Sequence, residues 1–227
     1  MQRITIWDLP TRVFHWVLVI CVAGAFVSVN IGGNAMVWHG RFGLTVLGLL
    51  VFRVIWGFVG STYARFSQFV RGPGAIKAYL RGEWQGEGHN PLGALSVLGL
   101  LGTLALLVST GLFANDDIAF EGPLYSLVGK DLSDKLVGIH RFIEPLIILL
   151  VVAHVGAIGF YARIKKQNLV KPMITGWKVG SGETARGGGL IAFIIAALLA
   201  VGVVYGASGI WLPPPAPPPA AGSVPSW

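Results

Sequence analysis

Cysteine occurs once in the 227-residue chain, at Cys21, which excludes an internal disulfide and any site built on paired thiolates. Charge is also scarce. Asp, Glu, Lys and Arg make up 12% of the residues against 54% for the apolar set, about half the charged content of a soluble domain, and mean hydropathy is +0.69. So little charge excludes both a solvated globular surface and a disordered chain. Acidic residues are scarcest, 10 against 17 basic, for a net charge of +7.

What is present is apolar sequence in long runs. A helix needs about 20 apolar residues to cross a bilayer, and five runs qualify: Thr11 to Asn30, Met36 to Val59, Pro91 to Phe113, Leu136 to Phe160 and Gly188 to Gly206. These predict an all-α integral membrane protein. The first run is too long for a signal-peptide core and contains His15, so it reads as a span. Arg3, Arg12, Arg65, Arg71, Lys77, Arg81, Arg163, Lys165, Lys166, Lys171, Lys178 and Arg186 all fall on one side of these spans. By the positive-inside rule that side is cytoplasmic, which puts the N-terminus inside and the C-terminal tail outside. The basic excess therefore reads as topology and not as a nucleic-acid footprint. On the opposite side, Asp116, Asp117, Glu121, Asp131 and Asp134 outnumber Lys130 and Lys135 in an expected loop from Asn115 to Lys135, either a solvated link or a docking surface for a basic partner.

Residues 1–180 read as a four-span unit and 181–211 as a fifth transmembrane helix; the proline-rich stretch 212–227 favours extended polyproline structure and reads as a tail. In the fifth span Ala192, Ala196 and Ala200, then Gly202 and Gly206, recur at four-residue spacing. Such rows permit close helix contact, with the chain's own bundle, with a second copy or with a partner subunit. The segment PGAIKAYL reads as a short helix at the membrane surface, and Asn90 followed by Pro91 as a helix start. That leaves His89 at the cytoplasmic boundary, serving the helix start or a quinone site.

Four histidines, His15, His39, His140 and His154, lie in spans, where ionisable residues are costly and point to function. His140 and His154 are fourteen residues apart, just under four helical turns, so they share a face and stand about 21 Å apart along the axis. With spans alternating in direction, His15 falls level with His154 near the cytoplasmic side, and His39 level with His140 near the other. Two facing imidazoles at one depth suit the axial positions of a haem iron. Zinc or copper would need three or four ligands converging at one depth. Two such pairs predict two haems, held without covalent attachment because no Cys-x-x-Cys-His motif exists.

Haem propionates call for cations. Arg12 adjoins the cytoplasmic pair, Arg41 and Arg141 adjoin the other, and Arg53, fourteen residues after His39, shares its face at cytoplasmic depth, binding a propionate or snorkelling to headgroups. Glycines 24, 43, 48, 102 and 111 leave room for flat macrocycles. Glu144, one turn beyond His140 and next to Pro145, is a candidate proton relay, with pairing to Arg141 or Arg41 as the alternative.

The segments WDLPTRVFHW, WHGRFGLTVLGLLVFRVIWG and GHNPL, with the His140 to His154 spacing, resemble the bacterial cytochrome b561 and nickel-iron hydrogenase b-type cytochrome family over about residues 5 to 180. That resemblance implies a four-helix bundle around two b haems, ligated by His15, His39, His140 and His154, in the inner (cytoplasmic) membrane. It implies electron exchange between quinone and a partner, such as a c-type cytochrome, a dehydrogenase or a hydrogenase. Stand-alone oxidation of superoxide with quinone as acceptor is the alternative within redox chemistry, and a membrane anchor or transporter the alternative outside it.

Overall fold

The structure, a computed structural model, describes residues 2–118 and 120–213. The expected proline-rich tail lies, from residue 214 on, outside the described residues. In chain order the elements are β1 (Gln2–Thr5), α1 (Leu9–Ile31), α2 (Met36–Val59), α3 (Phe66–Phe69), α4 (Pro73–Leu80), α5 (Pro91–Gly111), α6 (Lys130–Arg163), α7 (Val170–Thr175), β2 (Trp177–Gly180) and α8 (Leu190–Ala207). Five helices, α1, α2, α5, α6 and α8, are long and apolar enough to cross a membrane, and they fall where the apolar runs do. The fold is an all-helical membrane bundle.

Local chemistry sets the helix starts. The Asp8 carboxylate accepts the N–H of Thr11 at 2.7 Å, and the Asn90 side chain accepts that of Gly93 at 2.8 Å, each satisfying one of the free donors of a first turn. Between α1 and α2 the chain reverses through Gly32 at φ 69° and Gly33 at φ 53°, a region that residues with a Cβ avoid.

Helix α6 differs from the expected span. It begins at Lys130, six residues before Leu136, because its first turn is itself helical: Lys130 bonds to Asp134 one turn on at 3.2 Å, and the fully buried Ser133 hydroxyl donates to the Phe113 carbonyl at 2.7 Å. Lys130, Asp131, Asp134 and Lys135, expected in the loop, thus form a helical extension, whereas Asp116, Asp117 and Glu121 lie outside any helix. The helix continues through Pro145, whose missing N–H leaves the Arg141 carbonyl without its usual donor.

Helix α1 packs along α2, α2 against α5 and α8, and α5 against α6. Ala196 and Ala200 are buried on the α2 side, where Ala192 and Ala196 join Trp56, Phe52 and Ile55, whereas Gly202 and Gly206 have open space before them. The alanine row is therefore an internal contact. Close approach of α8 to α2 requires Gly48, since a Cβ there would come within 2.8 Å of Val204. Gly24 similarly admits Phe42. Of the glycines expected to make room for macrocycles, these two instead serve helix packing.

The end of the bundle carrying the basic residues is closed by a cap. There β1 and β2 pair antiparallel, Gln2 opposite Gly180 and Thr5 opposite Trp177, with Ile4 and Ile6 buried beneath. Strands of four residues paired across some 175 positions leave no local periodicity to read, and none was expected. Trp56 donates to Asp8 at 3.0 Å, Thr62 N–H donates to the Arg186 carbonyl at 2.8 Å, and Lys178 pairs with Glu87 at 2.7 Å. Glu87 also accepts from the N–H groups of Ser181 and Gly182. The bond to Lys178, with these others, holds its carboxyl below the usual range.

Candidate functional site

The four span histidines meet as two pairs. His15 on α1 faces His154 on α6 with ring centres 6.4 Å apart, and His39 on α2 faces His140 on α6 at 6.3 Å. Two imidazoles sharing one iron, with metal–nitrogen bonds of about 2 Å and each nitrogen about 1 Å from its ring centre, stand about 6 Å apart. Both pairs have that spacing. Halfway between the levels on α6, Ile147 is buried with Cys21, Val46, Leu50, Leu104 and Val108, so an apolar layer separates the pairs.

At the acidic end both rings are oriented by backbone. His39 Nδ1 lies 2.9 Å from the Ala25 carbonyl, and His140 Nδ1 lies 2.9 Å from that of Leu107 and 3.1 Å from the Thr110 hydroxyl. A carbonyl only accepts, so each Nδ1 must carry the hydrogen, which leaves Nε2 as the nitrogen free to ligate a metal. This pair opens on an apolar cavity of about 250 Å³ lined by Phe26, Gly40, Gly43, Leu107 and Ile147 among others. A Cβ at Gly111, also on its wall, would come within 3.2 Å of the His140 ring. The donor set and the smooth wall fit a flat macrocycle with axial imidazoles.

The basic end is different. His15 Nδ1 is buried without a partner, as are Thr11 Oγ1, Arg12 Nε, Arg53 Nη1, Ser61 Oγ, Arg65 Nε, Trp84 Nε1 and His89 Nδ1. Every such atom among the described residues belongs to this end. Buried polar atoms without partners cost about 1–3 kcal/mol each, and a cluster rich in cations and donors is what an anionic group requires.

Each expected site residue can now be placed. Arg53 is 3% exposed, with its guanidinium 5.0 Å from the Phe66 ring centre, so it is enclosed by the cap and does not snorkel. Arg12 Nη1 donates to the Ile174 carbonyl at 2.5 Å, which ties it to α7. Arg41 stacks over Trp38 at 4.8 Å and does not line the cavity, whereas Arg141 does. Glu144 lines the cavity too and forms no ion pair with Arg41 or Arg141 among the described residues. No three of His, Cys, Asp or Glu converge on one point among those residues.

His89 is more deeply enclosed than a helix start requires. Its ring centre is 4.7 Å from those of both Trp7 and Phe69. Burial, followed by the charges of Arg53, His154 and His15, pushes its imidazole down to about 3. Thr11, Ser61, Arg65 and Trp84 were not singled out by sequence. Their positions in or next to polar inter-span segments look like those of any topology-setting residue, and only the cap's closure buries their polar atoms.

The family model for prokaryotic cytochrome b561 matches residues 6–176, which takes in all five histidines and the first four spans. No curated protein and no solved structure matches the chain. With that match over most of its length, on five apolar helices that bring four histidines into two facing pairs, the chain belongs to the prokaryotic cytochrome b561 family of membrane b-type cytochromes, which bind b haem and transfer electrons.

Proposed function

We propose that this chain is a di-haem cytochrome b of the bacterial cytoplasmic membrane, carrying electrons between the quinone pool and a redox partner on the periplasmic side, a c-type cytochrome or a dehydrogenase or hydrogenase subunit. The observation that carries the reading is the pair of imidazole–imidazole distances, 6.4 and 6.3 Å, on two levels sharing one helix. Bound haem iron supplies the one-electron redox chemistry. The protein's part is ligation and electrostatics. His15 with His154, and His39 with His140, would hold the two haems, and the fourteen residues between the α6 histidines set a step of about 21 Å along the helix.

At the basic end Arg53, with Arg65 and Thr11, supplies positive charge and donors to propionates; Arg12, held by Ile174, flanks the same level. At the acidic end Arg141 is the cation on the cavity wall, and Arg41 adds charge at the rim. Glu144, on the same wall and outside any ion pair among the described residues, exchanges a proton as charge builds at that level. Lys130 partly neutralises the acidic surface through Asp117 at 2.5 Å and Asp134 at 3.2 Å. Glu121 and Asp131 remain exposed there to attract a basic partner.

Haem content and reduced-minus-oxidised spectra of the purified protein test this reading. Two b haems per chain are expected, with His15→Ala or His154→Ala losing one and retaining the other. Absence of Soret and α bands sharpening on reduction would remove the cytochrome reading. Loss of both haems from every single variant of intact fold would remove the two-site arrangement. Quinone reduction by superoxide without any partner would replace partner-linked transfer by stand-alone oxidation.

A further inference from the structure

The two carbonyls that hold the acidic-end rings each carry a second contact. Ala25, whose carbonyl lies 2.9 Å from His39 Nδ1, is also 3.1 Å from the hydroxyl of Ser28, three residues on along α1. Leu107, whose carbonyl lies 2.9 Å from His140 Nδ1, is 3.0 Å from the hydroxyl of Thr110, three residues on along α5. Both side chains are buried, Ser28 at 5% exposure and Thr110 at 7%. At the basic end, by contrast, His15 Nδ1 and the Thr11 hydroxyl are buried without partners. We propose that Ser28 and Thr110 are positioning residues for the acidic-end ligands. By donating to the same carbonyls they loosen the hold on the His39 and His140 ring hydrogens, and so keep that haem easier to reduce than carbonyl-bonded imidazoles alone would leave it. This rests on the di-haem reading above and adds what sets one of its two potentials.

A hydroxyl in an apolar helix ordinarily bonds back to a carbonyl one turn earlier. Thr45 in α2 does so, to the Arg41 carbonyl at 2.9 Å. Ser28 and Thr110 make that bond as well, to Gly24 at 2.7 Å and Leu106 at 2.8 Å, which already satisfies each hydroxyl. What they add is the reach to the carbonyl three residues back, and in both helices that carbonyl is the one facing a histidine.

A carbonyl oxygen has two lone pairs and accepts from ring and hydroxyl together, while the hydroxyl's single hydrogen is divided between two carbonyls. Two donors on one oxygen compete for its electron density, so each bond is weaker than it would be alone. An imidazole that keeps its Nδ1 hydrogen more firmly is the less basic ligand through Nε2, which favours the lower iron charge. Thr110 has a further contact, its oxygen lying 3.1 Å from His140 Nδ1, so replacing it changes both acceptors of that ring at once. Ser28 bonds only to backbone carbonyls and isolates the effect of the shared oxygen.

The test is a potentiometric titration of the haem-loaded full-length protein in detergent, with the acidic-end component identified as the one missing from His39→Ala. Neighbouring hydrogen bonds alter one another by about 10–30%, so the shift is modest. Ser28→Ala is expected to lower the acidic-end midpoint by about 30 mV, a threefold change in the reduction equilibrium at about 59 mV per tenfold, with the basic-end midpoint unmoved. Ser28→Cys, with its weaker S–H donor, should fall between, and Ser28→Thr, which restores the hydroxyl, should match the unmodified protein. An acidic-end midpoint that stays put or rises in Ser28→Ala would overturn the assignment, as would an equal shift of both haems or a shift in Ser28→Thr as large as that in Ser28→Ala. If Ser28→Ala loses haem, Ser28→Cys decides, and an unmoved midpoint there overturns the role. An unmodified protein binding fewer than two b haems would instead overturn the di-haem reading itself.

Discussion

The two histidine levels have almost the same internal spacing and opposite surroundings. At the acidic end each ring hands its Nδ1 hydrogen to a backbone carbonyl one helix away, and the pair borders an open apolar cavity. At the basic end His15 Nδ1 has no partner, and the pair lies beneath a polar cap containing Arg53, Arg65 and His89. A carbonyl-bonded imidazole is the more basic ligand and favours the higher iron charge, whereas buried cations favour the lower one. On the di-haem reading proposed above, the contrast makes the two centres unequal, the basic-end one being the easier to reduce.

The strongest way to break this comparison is to remove one level at a time. His39→Ala should cost the acidic-end haem alone, and His154→Ala the basic-end haem alone, each halving the haem-to-protein ratio; titration of the remaining centre then assigns its potential. If the centre left in His39→Ala has the lower potential of the two, the proposed order of the ends is wrong.

Arg53→Gln sharpens the comparison by removing the buried cation while keeping the side chain's approximate shape. The midpoint of the basic-end haem should fall by about 60 mV, the tenfold step for a one-electron couple, with the other haem unmoved. Arg41→Gln, at an exposed arginine stacked on Trp38, should shift neither by as much. A smaller effect is expected of Thr110→Val, which removes one of the two partners of His140 Nδ1 and leaves the Leu107 carbonyl in place. It should move only the acidic-end potential, by less than Arg53→Gln moves the other.

The smallest effect concerns the cap. Glu87 titrates below the usual carboxylate value because Lys178 bonds to its ionised form. Its contribution to stability is therefore complete above the unfolded carboxyl pKa and is lost as pH falls through the lowered folded value. Glu87→Gln should reduce thermal stability at neutral pH by about 1 kcal/mol or less, as for other partly exposed pairs. The difference from the unmodified protein should vanish in acid, as differential scanning measurements would show.

Much of the site was legible along the chain because depth in a membrane is a function of position along a span. Once the spans and their alternation are set, a residue's number gives its level and the 3.6-residue period gives its face. That is why His15 could be matched with His154, and His39 with His140, before any contact was known, and why Arg53 could be assigned to the basic level. Depth alone does not give the contacts of Arg41 and Arg12. Both stand at the right depth, but one stacks on Trp38 and the other bonds to Ile174, and depth says nothing of such neighbours. Nor does charge mark a loop at Lys130 to Lys135, where i,i+4 pairing and the buried Ser133 continue the helix.

The sequence by itself determined the five spans, the two imidazole levels and the distance between them, since all three follow from local apolar length and helical pitch. Only the tertiary structure decided which polar atoms are satisfied. Partners such as Trp56 with Asp8, Thr62 with Arg186 and Glu87 with Lys178 lie 48, 124 and 91 positions apart, and no periodicity records such pairings. The cap they close is what buries Arg53 and the ring nitrogens Trp84 Nε1 and His89 Nδ1, and so distinguishes the basic end from the acidic one.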